Sequence, residues 1–231
     1  MRIAATISPC TSEFPKAFGV SSSHAVSDLL AALAAVMHER GVRWYLFGAQ
    51  AAIVWGSPRL SADVDVTASL DRAGLAGYID AMRDHGFDVV FGDPDFIART
   101  RVIPFVHRGS RMPLDVVLSG PGLEEEFLQR ARSVDVAGTM IPVISPEDLI
   151  VSKILAGRPK DIEDIRGVIH ERKASLEVAR IRAVLRLLER ALTQSDLLPV
   201  FEREWRKKLQ GEPGASHAPI ARKSRSKPKK P

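Results

Sequence analysis

The chain has 231 residues, of which 45% are hydrophobic and 26% charged, as in an ordinary globular protein with a hydrophobic core. We expect no membrane association, because no apolar run approaches the roughly 20 residues that span a bilayer and the N-terminus lacks the apolar stretch of a signal peptide. The single cysteine, Cys10, excludes an internal disulfide and favours a cytoplasmic location. The net charge of +5 falls to −1 without the six Lys and Arg residues of the last 17 positions.

Helices and short apolar strands alternate along the first two thirds of the chain. After an irregular N-terminal arm over 1–21, the patterns predict a helix ending near Gly41, a strand over 42–48, a short helix over 49–56, a strand over 62–70 and a helix over 71–86. Three further strands follow, around 87–92, 101–109 and 112–120, with Pro104 indicating an edge strand or a bulge. A helix after Pro121 and a strand-turn-strand segment complete an α/β core over 22–144.

From Ser145 onward the pattern is helical. Ser145 is predicted as the N-cap, Pro146 as part of the first turn, and Asp148 three residues on as the partner in a capping box. We therefore predict an α+β fold with a mixed sheet flanked by helices, followed by a helical region over 145–210. The leucine-rich helix around 178–192 is a candidate surface for a protein partner.

The basic tail over 211–231 is predicted to be disordered, because Lys, Arg, Ser and Pro cannot bury apolar surface. Its charge would give weak contact with nucleic acid through the phosphates. A solubilising role without a specific partner is an equally supported interpretation.

The segment "SADVDV" carries two carboxylates on a strand that is otherwise apolar. Asp63 and Asp65 lie on the same face, because alternate residues of a strand point the same way, whereas Val64 and Val66 point to the core. Two carboxylates this close repel each other unless a cation lies between them. Hard oxygen ligands of this kind suit Mg²⁺ or Mn²⁺.

A third carboxylate, Asp115, lies in the similar strand "PLDVVL". If this strand pairs beside 63–67, the three carboxylates converge and can hold metal ions for an in-line displacement at phosphorus. Asp115 is also a candidate base for an incoming hydroxyl.

The residues upstream of the aspartates suit phosphate binding. Gly48 and Ala49 lie between a strand and a short helix, where a glycine allows close approach of a ligand and helix N–H groups point at anions. Arg59 and Ser61 precede the aspartates and are candidate ligands for phosphate oxygens.

The run "GAQAAIVWGSPRLSADVDV" resembles the signature of the polymerase-β-like nucleotidyltransferase superfamily. The later "PEDLIVSKILAGRPKDIEDIRGVI" resembles the helical motif of its small bacterial and archaeal members, which include toxins of type IV toxin–antitoxin (abortive infection) systems. The residues that match this second motif are Lys153, Arg158, Lys160, Asp161 and Asp164.

The resemblance implies a metal-dependent transfer of a nucleoside monophosphate from an NTP donor to a hydroxyl acceptor on a protein, an RNA or a small molecule. It implies metal binding by Asp63, Asp65 and Asp115, with Lys153 neutralising the triphosphate. One departure from the pattern is Ala49, where many active members have Ser or Thr. The alternative prediction is therefore a weakly active or inactive binding protein that acts through a partner.

Structural roles compete with functional ones for the second motif. Lys153 is either a phosphate ligand or an ordinary exposed helix residue. For Asp161 and Asp164 we favour salt bridges to Arg158 and Arg166, or an offset of the helix dipole, over a catalytic role.

Overall fold

The computed structural model of this protein describes residues 20–71 and 73–209. Most of the predicted N-terminal arm and the whole basic tail, 211–231, therefore lie outside the described residues, as does Cys10. Residues 20 and 21, predicted as part of the arm, already belong to the first helix. The division of the chain into the four predicted parts stays a prediction.

Seven strands form one sheet in the order β3-β4-β5-β2-β1-β7-β6. The strands are β1 Trp44–Phe47, β2 Val64–Ala68, β3 Phe87–Val89, β4 Val102–His107, β5 Pro113–Leu118, β6 Arg132–Val136 and β7 Thr139–Val143. Pairs β2–β5 and β1–β7 are parallel and the other four pairs are antiparallel. The prediction of a mixed sheet is confirmed.

Helices flank this sheet and continue beyond it. Those in the described residues are α1 Val20–Glu39, α2 Gly48–Val54, α3 Leu75–Asp84, α4 Pro94–Thr100, α5 Leu123–Arg130, α6 Pro146–Ala156, α7 Pro159–Arg172, α8 Val178–Leu192 and α9 Leu197–Leu209, with a 3₁₀ turn at Lys173–Ser175. The α+β class is confirmed. None of the helices in the described part of the chain is long and apolar enough to cross a membrane.

The prediction of an edge strand at Pro104 was wrong, because β4 lies between β3 and β5. Pro104 is tolerated there because its neighbour β3 ends at Val89. The last bond of that pair runs from the Val90 N–H to the Pro104 carbonyl at 2.9 Å, and a proline offers no N–H for the reciprocal bond.

The sequence patterns predicted no helix or strand over 93–100, where the structure has helix α4. Asp93 caps the helix by accepting a 3.0 Å hydrogen bond from the Asp95 N–H, and Pro94 occupies the first turn. Both residues are ordinary signals for the start of a helix. The helix has only seven residues, so its sequence shows little periodicity to support them.

The C-terminal helices pack against α2, the helix that starts beside the predicted site. Helix α6 is buried along most of its length, and Ser145 caps it by accepting a bond from the Asp148 N–H, as predicted. Gly167 of α7 lies so close to the turn after α2 that a Cβ atom would come within 2.8 Å of the Ser57 Cα. This glycine lets α7 approach the turn that leads into β2.

Candidate active site

Asp65 and Asp115 are neighbours in the sheet. They are register partners in the parallel pair β2–β5, and Asp63 comes two residues before Asp65, just ahead of the strand. Val64 and Val66 are fully buried on the opposite face. The predicted pairing of the Asp115 strand beside the Asp65 strand is confirmed, and so is the face assignment of the two valines.

Electrostatic repulsion is built into this carboxylate cluster. Burial and the charges of Asp63 and Asp115 together raise the pKa of Asp65 to about 6, against an opposing effect of Lys153 and Arg158. Burial and the charge of Asp63 also raise the pKa of Asp115. A cation bound here would relieve an existing conflict between like charges.

Gly48 lies directly against Asp65. Its φ is +67°, a left-handed conformation, and a Cβ atom on it would come within 2.1 Å of the Asp65 Oδ2. The residue is at the junction of β1 and α2, so the backbone turns sharply beside the carboxylate. A glycine is needed for both the conformation and the space.

The loop between α2 and β2 is held in place by Gln50, a residue that sequence reasoning did not assign to the site. Its buried side chain donates to the backbone carbonyls of Ser61 and Asp63, at 3.4 and 3.3 Å. The Ser61 hydroxyl in turn donates a hydrogen bond to the Asp63 carboxylate. Ser61, predicted as a phosphate ligand, is thus placed as a neighbour of the carboxylates.

Lys153 is buried, with only 5% of its surface exposed. Its ammonium group donates to Asp164 Oδ2 at 2.7 Å and to Asp161 Oδ1 at 3.1 Å. The interpretation of Lys153 as an ordinary exposed residue was therefore wrong. The positive charge of Lys153 also acts to lower the pKa of Asp65, so this lysine couples the helical motif electrostatically to the carboxylates.

Asp164 ties the loop before β2 to the C-terminal helices. Besides Lys153, it accepts bonds from the Ser57 hydroxyl at 3.0 Å and from Arg59 Nη1 at 2.9 Å. Arg59, predicted to bind phosphate, is therefore held by a carboxylate 105 positions further along the chain. Arg166, the predicted partner of Asp164, binds Glu204 at 2.7 Å.

Arg158 and Asp161 form the predicted salt bridge at the start of α7. Arg158 Nε donates to Asp161 Oδ2 at 2.6 Å, and the Arg158 backbone N–H donates to the same oxygen at 3.2 Å. Burial alone would raise the pKa of Asp161, but the bonds from Arg158 and Lys153 outweigh it and lower that pKa. With its side chain 57% exposed, Arg158 remains accessible at the site.

The donor set fits a hard divalent cation. It consists of carboxylate oxygens next to a glycine backbone, with cationic side chains on one side. Within the described part of the chain, no three His, Cys, Asp or Glu side chains are already grouped closely enough to hold a metal ion. The strand register places Asp65 beside Asp115, whereas the convergence of all three carboxylates on one cation stays a prediction.

The match with a known family model decides the class of the protein. The family described as "nucleotidyltransferase of unknown function (DUF6036)" matches residues 26–189, a span that includes every predicted site residue. The chain belongs to this family. The prediction that the chain is related to nucleotidyltransferases is confirmed, and so is the prediction of a nucleotidyltransferase enzyme.

Similar folds occur among solved structures of low sequence identity. The solution structure of the antibiotic-resistance factor ANT(2″)-Ia matches with a TM-score of 0.51 and 17% identity, covering 75% of this chain and 95% of that one. Its crystal structure with adenylyl-2″-tobramycin gives 0.50 and 18%, covering 75% and 99%. A nucleotidyltransferase-like protein from Paracoccidioides brasiliensis gives 0.52 and 17%, covering 78% and 93%. A comparison with curated proteins finds no match.

Proposed function

We propose that this protein transfers a nucleoside monophosphate from an NTP to a hydroxyl acceptor in a reaction that depends on Mg²⁺ or Mn²⁺. The observation that carries the proposal is the in-register pairing of Asp65 with Asp115, next to Asp63 and within electrostatic reach of Lys153 and Arg158. These three carboxylates would hold the metal. When bound, the metal would offset the repulsion between them and neutralise phosphate charge.

The chain's own residues divide the remaining tasks. Gly48 and Ala49 would let the triphosphate approach the backbone where α2 begins, and Lys153 and Arg158 would face its negative charge. Arg59 and Ser61 would complete the phosphate contacts from the loop before β2. In the transfer, the acceptor oxygen bonds to the α-phosphorus, the bond from that phosphorus to pyrophosphate breaks, and the hydroxyl proton passes to Asp115 or to water.

The experiment that tests this proposal is calorimetric titration of the four NTPs with and without Mg²⁺. We would compare the wild type with the double variant Asp63→Asn/Asp65→Asn. Metal-dependent binding by the wild type that the variant loses would support the site. Metal-dependent binding that survives in the variant would remove these two carboxylates from the proposal.

A second candidate function is a binding or regulatory protein with little catalysis, and Ala49 is the observation that favours it. This buried residue has no hydroxyl to offer a triphosphate. Absence of NTP binding in the same titration would support this candidate, and the search would turn to a protein partner of the C-terminal helices.

The toxin role that the resemblance implies stays a prediction. It would gain support if expression of the chain arrested cell growth and the Asp63→Asn variant did not. The complex of ANT(2″)-Ia with adenylyl-2″-tobramycin offers a small polyhydroxyl compound as one class of acceptor to test.

A further inference from the structure

A cavity of about 440 Å³ lies beside the phosphate-binding residues proposed above. Its lining comes from the turn after α2 and from the first half of α7, and consists of Ser57, Pro58, Arg59, Lys160, Glu163 and Asp164. Arg59 belongs both to this lining and to the proposed triphosphate contacts. The cavity therefore adjoins the proposed triphosphate contacts through Arg59.

Two of the lining side chains carry charges without a partner among the described residues. Lys160 and Glu163 are exposed and lie three positions apart on α7, the spacing at which opposite charges usually pair. No ion pair within 4.0 Å and no hydrogen bond joins either side chain to another residue in the described ranges. Asp164, by contrast, already accepts bonds from Ser57, Arg59 and Lys153.

The rim of the cavity offers apolar surface. Pro58 is exposed and lines the cavity, and Leu60, two residues on, is 73% exposed. The ring of Pro58 suits contact with the flat face of a heterocycle. The cavity thus combines an apolar contact with one acceptor and one donor on the same helix.

We propose that this cavity binds the nucleobase of the NTP and selects guanine, with Glu163 and Lys160 as the specificity residues. The inference rests on the proposed function. The pairing edge of guanine has two adjacent N–H donors, at N1 and N2, followed by the O6 acceptor. The two oxygens of Glu163 match the donors, and the Lys160 ammonium matches O6.

The other three bases do not satisfy this pair of side chains. Adenine and cytosine present a single amino group to the carboxylate, and uracil presents one N–H between two carbonyls. Each would leave one Glu163 oxygen without a hydrogen-bond donor from the base, so GTP makes at least one bond more than these three nucleotides do.

The test is calorimetric titration of GTP, ATP, CTP, UTP and inosine triphosphate into the full chain with Mg²⁺. Inosine triphosphate lacks the N2 amine and therefore offers Glu163 one bond fewer than GTP. We expect GTP to bind about tenfold more tightly than the other bases, with inosine triphosphate in between. Glu163→Gln should weaken GTP binding about tenfold, leave ATP, CTP and UTP within about twofold, and abolish the difference between GTP and inosine triphosphate.

Glu39→Gln on α1 is the matched control, since this glutamate is also exposed and its partner is His85. It should leave all five affinities unchanged. Equal binding of all NTPs, unaffected by Glu163→Gln, would overturn the base assignment and leave the proposed function standing. A chain that binds no NTP overturns both.

Discussion

Asp65 on β2 and Asp115 on β5 sit directly opposite each other in a parallel strand pair. Neighbouring strands are roughly 4.8 Å apart, so two side chains that leave the sheet on one face at this register are close enough to share a cation. Burial and the neighbouring carboxylates raise the pKa of Asp65 to about 6, which marks the pair as an unfavourable arrangement for the metal-free protein. The metal-free protein should therefore gain stability when the charge of Asp65 is removed.

Asp65→Asn should abolish nucleotidyl transfer and at the same time stabilise the metal-free protein. The substitution removes a partly buried charge that two other carboxylates repel. We expect the free energy of unfolding in EDTA at pH 7.5 to rise by about 1–2 kcal/mol, measured by urea denaturation. A lower free energy of unfolding would show that Asp65 has a structural partner and that repulsion does not dominate.

Gly48→Ala should displace Asp65 and destabilise the fold by about 2–3 kcal/mol, because the new methyl group overlaps the carboxylate in a left-handed backbone. Gly41→Ala is a close control. Gly41 has a similar φ of +62°, but a Cβ atom added there would meet no other atom within 4 Å. Gly41→Ala should therefore lower the free energy of unfolding only by the backbone cost, about 1 kcal/mol. Urea denaturation of both variants measures the difference, and equal losses would contradict the steric role of Gly48.

Lys153→Met should cost about 3–5 kcal/mol of stability, because it leaves Asp161 and Asp164 buried without their shared ammonium group. Lys153→Met/Asp164→Asn should recover part of that loss by removing one of the two carboxylates that lose the ammonium group. Urea denaturation of the wild type, Lys153→Met, Asp164→Asn and the double variant gives this comparison. If the double variant were less stable than Lys153→Met by the full cost of Asp164→Asn alone, the two residues would not be coupled.

The buried Glu204 should give the protein acid-sensitive stability. Burial by itself would raise the pKa of Glu204, but hydrogen bonds from Arg166, Arg203 and Lys207 lower it to about 2. The depressed pKa contributes stability that is fully present above the unfolded value of about 4.5 and is lost as the pH falls towards 2. The contribution is about 2–3 kcal/mol, since the three partners are more than half exposed.

Glu204→Gln checks this assignment. Its free energy of unfolding should fall less steeply than that of the wild type between pH 4.5 and pH 2. Parallel pH profiles for the two proteins would assign the acid sensitivity to other carboxylates.

The local features of this protein were determined by the sequence itself. The alternation of Val64 and Val66 with Asp63 and Asp65 predicts a strand with one apolar and one acidic face, because side-chain direction along a strand depends only on position. The caps of α6 are equally local, since Ser145 bonds a backbone N–H three residues away. The sequence patterns did not predict α4, because a seven-residue helix is too short to show a clear helical periodicity.

The partners of each site residue were decided by the tertiary structure. The sequence shows Asp65 and Asp115 as similar, but only the order of strands makes them neighbours. Arg59 and Asp164 bond across 105 positions because α7 packs against the turn after α2. The burial of Lys153 depends in the same way on which face of α6 is covered. Packing between distant elements sets these contacts. The periodicity of a single segment does not show which other segment will pack against it.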